Sequence, residues 1–230
     1  MREVAVVIAA GGRGRRMGGS LPKQFLRLGG TPVLQRTVAA FHGIPAVRWI
    51  FLVVPRAHLA RTRSLVRRAG FTKVAGIVPG GKERQDSVWS GLAACRGRAD
   101  VVLVHDAARP LVERSVIAAV IRAANRYGAA VAAVRTKDTI KVESRRRPGY
   151  FSRTLPRDGL WSVQTPQGFR FDILWRAHRR ARRAGFVGTD EASLVERLGV
   201  PVRIVPGSER NIKITTPEDR RLAESLLDRG

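Results

Sequence analysis

Over the first 135 residues, short apolar runs of strand length alternate with stretches whose apolar residues recur at helical spacing. No other feature restricts the fold as much. The runs are Val4 to Ala9, Val47 to Val54, Lys73 to Val78, Asp100 to His105 and Ala129 to Arg135. Between them lie Thr31 to His42, Leu59 to Ala69, Asp86 to Arg96 and Glu113 to Tyr127, the first carrying Val33, Leu34, Val38 and Phe41 on one helical face. Strands that are apolar throughout are covered on both sides, and strand–helix repetition delivers that cover through crossovers. The expectation is a three-layer, Rossmann-like α/β fold with a mostly parallel sheet. A chain of 230 residues, 44% hydrophobic, suits one such domain over 1–230.

The rhythm breaks after Arg135. Thr139 to Glu143 and Tyr150 to Leu155 are β-like runs around Ser144-Arg145-Arg146-Arg147-Pro148-Gly149, and they read as a hairpin within about 136–158. A lone hairpin is marginal, so this one needs packing, either against a second subunit as a protruding arm or at the edge of its own sheet. Beyond it, Phe171 to Ala184 reads as a basic helix, Asp190 to Leu198 as a helix capped by Thr189, and Val200 to Val205 as a strand. Pro217 to Leu227 reads as a helix with Thr216 as its N-cap.

The first strand leads into Ala10-Gly11-Gly12-Arg13-Gly14-Arg15-Arg16-Met17 and then Pro22-Lys23-Gln24-Phe25. Glycines let backbone N–H groups approach an anion, and cations neutralise it, so the loop suits a phosphate cradle. It lies beyond the carboxyl end of a strand, where open α/β sheets bind ligands. A dinucleotide site is rejected: Met17 stands where the third glycine belongs, and no acid follows the second strand at Pro55-Arg56. Gly76 to Glu83 matches a P-loop except for Glu83 in place of Ser or Thr, and a turn before a helix is the better reading.

The formal charge of +25 comes from 43 Lys and Arg against 18 Asp and Glu. Such a balance favours anionic ligands. The cations are spread along the whole chain, aromatics are only 6%, and no nucleic-acid-binding motif is present, so no specific nucleic-acid partner is expected. No stretch is long enough to span a membrane and no leader is visible. The single Cys95 reads as a buried thiol; a cytoplasmic setting is expected.

Cations recur at the ends of elements: Arg16, Lys23, Arg84, Arg109, Arg157 and Lys213. Asp106 follows the strand ending at His105 and is a candidate Mg²⁺ ligand, direct or through water. His105 is a candidate base, or a structural side chain. One carboxylate among many cations suits phosphoryl or nucleotidyl transfer, which needs positioning and charge neutralisation more than a nucleophile.

These segments carry a resemblance. Ala10-Gly11-Gly12-x-Gly14-x-Arg16-Met17 with Pro22-Lys23-Gln24-Phe25 resembles the sugar-nucleotidyltransferase loop. Gly80-Gly81-x-x-Arg84-x-Asp86-Ser87-Val88 and His105-Asp106-Ala107-Ala108-Arg109-Pro110 narrow the likeness to the polyol-phosphate cytidylyltransferases. Gly159-Leu160-Trp161-x-x-Gln164-Thr165-Pro166-Gln167, Thr189 to Ser193 and Asn211 to Asp219 extend it over nearly the full chain. One departure is Gly11, where the family often has Ala.

The resemblance implies a reaction of CTP with a polyol phosphate, methylerythritol phosphate first and ribitol 5-phosphate as the alternative, with Mg²⁺ as cofactor. It implies that Ala10, Gly11, Gly12, Gly14, Gly81, Arg84 and Ser87 bind the nucleotide. Arg16 and Lys23 serve the transition state, and Arg157 and Lys213 place the attacking phosphate. Asp106, Ala107, Arg109, Thr139, Thr165 and Thr189 line the acceptor site, with Asp106 beside the metal. It also implies a homodimer in which the hairpin arm carries Thr139 and Arg157 to the neighbouring subunit.

Overall fold

The computed structural model describes residues 2–11 and 22–227. Gly12, Gly14 and Arg16 therefore lie outside the described residues. In chain order the elements are β1 (Val4–Ala9), β2 (Arg27–Leu28), β3 (Thr31–Pro32), α1 (Val33–His42), β4 (Val47–Val54) and α2 (Leu59–Arg68). Next come β5 (Val74–Pro79), α3 (Arg84–Ala94), β6 (Val101–Asp106), α4 (Arg114–Tyr127), β7 (Ala129–Arg135), β8 (Lys141–Glu143) and β9 (Phe151–Thr154). The last are β10 (Trp161–Arg170), α5 (Phe171–Arg183), α6 (Glu191–Glu196), β11 (Arg203–Pro206) and α7 (Pro217–Leu227).

Seven strands form one sheet in the order β11-β7-β10-β6-β1-β4-β5. β1 pairs in parallel with β4 and β6, and β4 with β5. Only β10 runs against its neighbours, antiparallel to both β6 and β7. The alternation of β1 explains its unbroken apolar run. Val4, Val6 and Ile8 enter the core under α1 and α4, while Ala5 and Val7 enter the opposite core under α3 and α5. Burying each large side chain of this kind stabilises by about 1.5–3 kcal/mol.

The strand–helix reading of the first 135 residues holds, with shifted boundaries. Thr31-Pro32 pairs with β2, so the helix starts at Val33. α3 starts at Arg84 rather than Asp86, because Glu83 and Asp86 form a capping box across its first turn. Gly80 to Glu83 is thus the turn before a helix. Asp106 belongs to β6 as its last residue instead of following it. Asp190, not Thr189, caps α6: its backbone is extended and its carboxylate accepts from Ser193 N at 2.9 Å. The last strand of the sheet is Arg203–Pro206 rather than Val200 to Val205. Thr216 does cap α7, accepting from Asp219 N at 3.2 Å.

β10 is the element the sequence hides. Its Gln164, Thr165, Pro166, Gln167 and Gly168 belong to none of the elements expected from the sequence, yet they lie in a strand between β6 and β7. Pro166 is tolerated because the pairing with β7 is interrupted between Val163 and Gln167. Gly168 is required by close approach: a Cβ there would lie 2.8 Å from Val120 Cγ1 and 2.9 Å from Leu103 Cδ2.

β8 and β9 form the expected hairpin as a separate two-stranded sheet. It leaves from β7 and returns into β10, its base closed by Thr136 N donating to Leu160 O at 3.1 Å. β9 is exposed along its length, Phe151 by 72%, and Tyr150 just before it is 69% exposed. The Arg179 to Arg183 run lies on α5, whose opposite face buries Ile173, Leu174, Ala177 and Ala181. Those arginines form a solvated helix face, which accounts for this basic run without a ligand.

Candidate active site

A cleft of about 710 Å³ opens at the carboxyl ends of β1, β4, β5 and β6. Parallel strands end there together, so side chains from distant segments converge. Ala10 and Gly11 follow β1, Gly80 and Gly81 follow β5, and Asp106 ends β6. Among the described residues, Lys23, Arg56, Lys82, Arg84 and Lys213 line the same space against only Glu83 and Asp106, so that lining is strongly cationic.

Asp106 is the centre of the charge network. Lys213 Nζ lies 2.6 Å from its Oδ2 and Arg84 Nε donates to its Oδ1 at 3.1 Å. Burial pushes this carboxyl up, but the charges of Arg84 and Lys213 outweigh it and hold Asp106 well below the usual carboxylate range. Burial pulls the Arg84 guanidinium down, and Glu191 with Asp106 more than restores it.

Lys213 is positioned from two sides. Ile214 N donates to Ala108 O at 2.8 Å, tying its segment to the turn after β6. The Asp219 carboxylate accepts from Thr215 N and Thr216 N at 2.8 Å each, fixing that segment on the start of α7. Lys23 sits across the cleft, its Nζ 3.4 Å from Ile214 O.

The loop after β5 is shaped by Ser87. Its hydroxyl donates to Glu83 O at 3.1 Å and accepts from Gly81 N at 3.2 Å. Side chains are excluded nearby: a Cβ on Gly80 would lie 2.8 Å from Ser87 Oγ, and one on Gly81 2.3 Å from Asp86 Cβ. Gly11 faces the same hydroxyl, and a Cβ there would stand 3.2 Å from it.

Of the residues singled out in the sequence, Ala10, Gly11, Lys23, Gly81, Arg84, Ser87, Asp106, Ala107 and Lys213 meet in this cleft. Thr165 and Arg109 stand behind its wall. The Thr165 hydroxyl accepts from Asp106 N at 3.1 Å and lies 3.0 Å from His105 Nδ1. Arg109 donates to Asn211 O at 2.6 Å. Thr189 is exposed on the segment before α6, and Thr139 and Arg157 are exposed near the base of the hairpin. Arg157 donates to Lys137 O at 3.0 Å there. His105 is wholly buried against Phe41, and burial lowers its imidazole to about 4. It is a neutral brace for the β6 turn, with Nε2 3.1 Å from Arg109 O. Cys95 is buried and free, its thiol pushed up to about 12.

Sequence reasoning missed three polar residues that hold these groups in place: Glu191, Gln167 and Gln85. Gln167 Nε2 donates to Asp190 Oδ2 at 2.7 Å. Gln85 Nε2 donates to Phe186 O at 3.0 Å and its Oε1 accepts from Gly188 N at 2.9 Å. For Gln85 the available signal was a glutamine on the buried face of α3.

Comparison with known proteins agrees with this geometry. Residues 4–229 match the family described as 2-C-methyl-D-erythritol 4-phosphate cytidylyltransferase. The enzyme of that name from Pelotomaculum thermopropionicum is 50% identical over 228 residues, covering 99% of this chain and 95% of the relative. A crystal structure of the same enzyme from Thermus thermophilus superposes with a TM-score of 0.80 at 37% identity, covering 98% of this chain and 99% of that one. The 4-diphosphocytidyl-2C-methyl-D-erythritol synthase of Anaerococcus prevotii gives a TM-score of 0.86 at 27% identity, covering 99% of this chain and 96% of that one. The strand-end cleft, its cations and its single floor carboxylate thus sit in a chain that belongs to the 2-C-methyl-D-erythritol 4-phosphate cytidylyltransferase family.

Proposed function

We propose that this chain, acting as one catalytic domain, transfers the cytidylyl group of CTP to 2-C-methyl-D-erythritol 4-phosphate. The products are 4-diphosphocytidyl-2-C-methyl-D-erythritol and pyrophosphate, a step of isoprenoid precursor synthesis by the non-mevalonate route. The observation that carries the reading is the cationic cleft with Asp106 at its floor. A phosphate oxygen of the acceptor attacks the α-phosphorus of CTP, and the bond to the bridging oxygen breaks as pyrophosphate leaves. Lys23 and Arg16 stabilise the charge of the pentavalent transition state. Lys213 and Arg157 orient the attacking phosphate. The backbone at Ala10, Gly11, Gly12, Gly14 and Gly81, with Arg84 and Ser87, holds the nucleotide. Ala107, Arg109, Thr139, Thr165 and Thr189 shape the acceptor side, Thr165 acting through Asp106.

The donor set fits Mg²⁺. This ion takes one or two carboxylates together with substrate phosphates rather than a protein cage. Among the described residues, Asp106 is the only carboxylate at the floor of the cleft, and no group of three ligand-type side chains occurs. When bound there, Mg²⁺ supplies charge neutralisation on the triphosphate. The exposed arm, bearing Thr139 and Arg157, supports a homodimer in which each arm completes the partner's site. No helix among the described residues is long and apolar enough to cross a membrane. With the single buried thiol, this supports a cytoplasmic enzyme.

Pyrophosphate release, measured with each nucleoside triphosphate against methylerythritol phosphate and ribitol 5-phosphate, tests the reading. Turnover confined to CTP and methylerythritol phosphate is expected. Equal kcat/KM with a purine triphosphate, or with ribitol 5-phosphate, overturns the assignment of that substrate.

A further inference from the structure

Glu191 opens α6 behind the cleft wall and is 1% exposed. Both of its carboxylate oxygens accept from Arg84 Nη1 at 2.8 Å; burial pushes the Glu191 carboxyl up, and the facing Arg84 guanidinium opposes that shift. Through its Nε the same guanidinium serves Asp106. Arg84 is therefore shared between a carboxylate on the cleft floor and one sealed beneath it.

The pair is built on fixed ground. Gln167 Oε1 accepts from Glu191 N and Ala192 N at 3.2 Å each, anchoring α6 to the central strand. Gln85, next to Arg84, binds the segment leading into α6 through Phe186 and Gly188. Sealing a carboxylate away from water is costly, and a buried ion pair is poor evidence of a stabilising device. Its consequence for the cleft is clearer. Asp106 already faces Lys213 and Arg84. Without Glu191, the whole Arg84 charge would bear on Asp106 and oppose any further cation there.

We propose that Glu191 is a positioning residue that draws the charge of Arg84 partly off Asp106. It thereby keeps the Asp106 carboxylate open to the divalent cation carried in on the CTP triphosphate. The inference rests on Asp106 being the cation-binding carboxylate, as assigned above.

The test is Mn²⁺ binding to the full-length protein with CTP, read as the loss of the free Mn²⁺ resonance. Glu191→Gln keeps the shape and an acceptor for Arg84 but removes the charge. It should weaken Mn²⁺ binding by about tenfold, the scale of one charge interaction in a partly screened site. The Mg²⁺ concentration for half-maximal turnover should rise by the same factor, with turnover at saturating Mg²⁺ less affected. In an Arg84→Met background, Glu191→Gln should change Mn²⁺ binding no further. Wild-type Mn²⁺ affinity with only a lowered melting temperature overturns the proposal, as does an equal loss in both Arg84 backgrounds. If Glu191→Gln does not fold, Glu191→Asp keeps the charge but loosens the pair. It should shift Mn²⁺ affinity in the same direction, and no shift there is equally fatal. Asp106→Asn separates the two levels: Mn²⁺ binding that survives it defeats the Asp106 assignment itself.

Discussion

Lys213 Nζ and Asp106 Oδ2 lie 2.6 Å apart, so the cation assigned to the attacking phosphate is held by the carboxylate assigned to the metal. Lys213→Met should lower kcat/KM for the acceptor by about 10²–10³, the scale of one lost electrostatic contact. Stability should change by no more than about 1 kcal/mol, since the lysine is 41% exposed and Asp106 keeps Arg84. Steady-state kinetics with thermal unfolding reads both, and near-normal turnover removes Lys213 from that role.

The hairpin leads to a prediction about shared sites. Arg157→Ala and Lys23→Ala should each leave a folded, nearly inactive homodimer. In mixed dimers, one site then carries both lesions and the other neither, so activity should partly return. If Arg157 serves its own subunit, every site keeps one lesion and activity stays low. Absence of recovery in verified heterodimers, or a monomer by light scattering, rules out the shared site.

Stability should depend on pH through two histidines. Burial lowers both His105 and His178 from 6.5 to about 4 in the folded chain. Between those values the unfolded chain binds protons that the folded chain refuses. Stability is therefore complete above about pH 6.5 and falls as pH drops toward 4, by on the order of 2–3 kcal/mol for each histidine. Asp106 behaves differently: its contribution is present above about pH 4 and is lost only in stronger acid, because its folded value is depressed. Neither ring nitrogen of His178 has a partner among the described residues, so His178→Leu should remove about half of the dependence. Urea unfolding at a series of pH values checks this, and a flat profile from pH 7 to 4.5 contradicts it.

Gly168→Ala should destabilise by about 1–3 kcal/mol through overpacking, because its Cβ would press on Val120, Leu103 and Ala124 at 2.8, 2.9 and 3.1 Å. Urea denaturation measures the change. An unaltered midpoint would mean that α4 can retreat from the sheet without cost.

The sequence made the parallel half of the sheet legible because β1, β4 and β6 are buried on both faces and so carry unbroken apolar runs. The cleft was legible for the same reason, since strand ends converge and Lys23, Asp106 and Lys213 stand where the elements stop. β10 was not, because its central residues serve the site rather than the core. Gln167 and Thr165 spend their side chains holding Glu191 and Asp106, and Pro166 and Gly168 occupy an interrupted, crowded stretch of ladder. Glu191 was hidden inside a motif whose cap and carboxylate differ by one position. Its partner lies 107 residues away, a pairing that no local pattern encodes.

The place of β10 in the sheet also sets the order in which the chain can assemble. β1, β4, β5 and β6 pair with one another without any later segment. β7, by contrast, meets β6 only through β10, which arrives after the hairpin has been made. During synthesis from the N-terminus, β6 therefore waits with an open edge until residue 170 is available. Closing that gap joins β7 to the rest of the sheet and sets the base of the hairpin; only afterwards do α6 with Glu191 dock on Gln167 and β11 add to the far edge of β7. Truncation within the hairpin would thus leave an unpaired internal strand, the kind of edge on which chains aggregate.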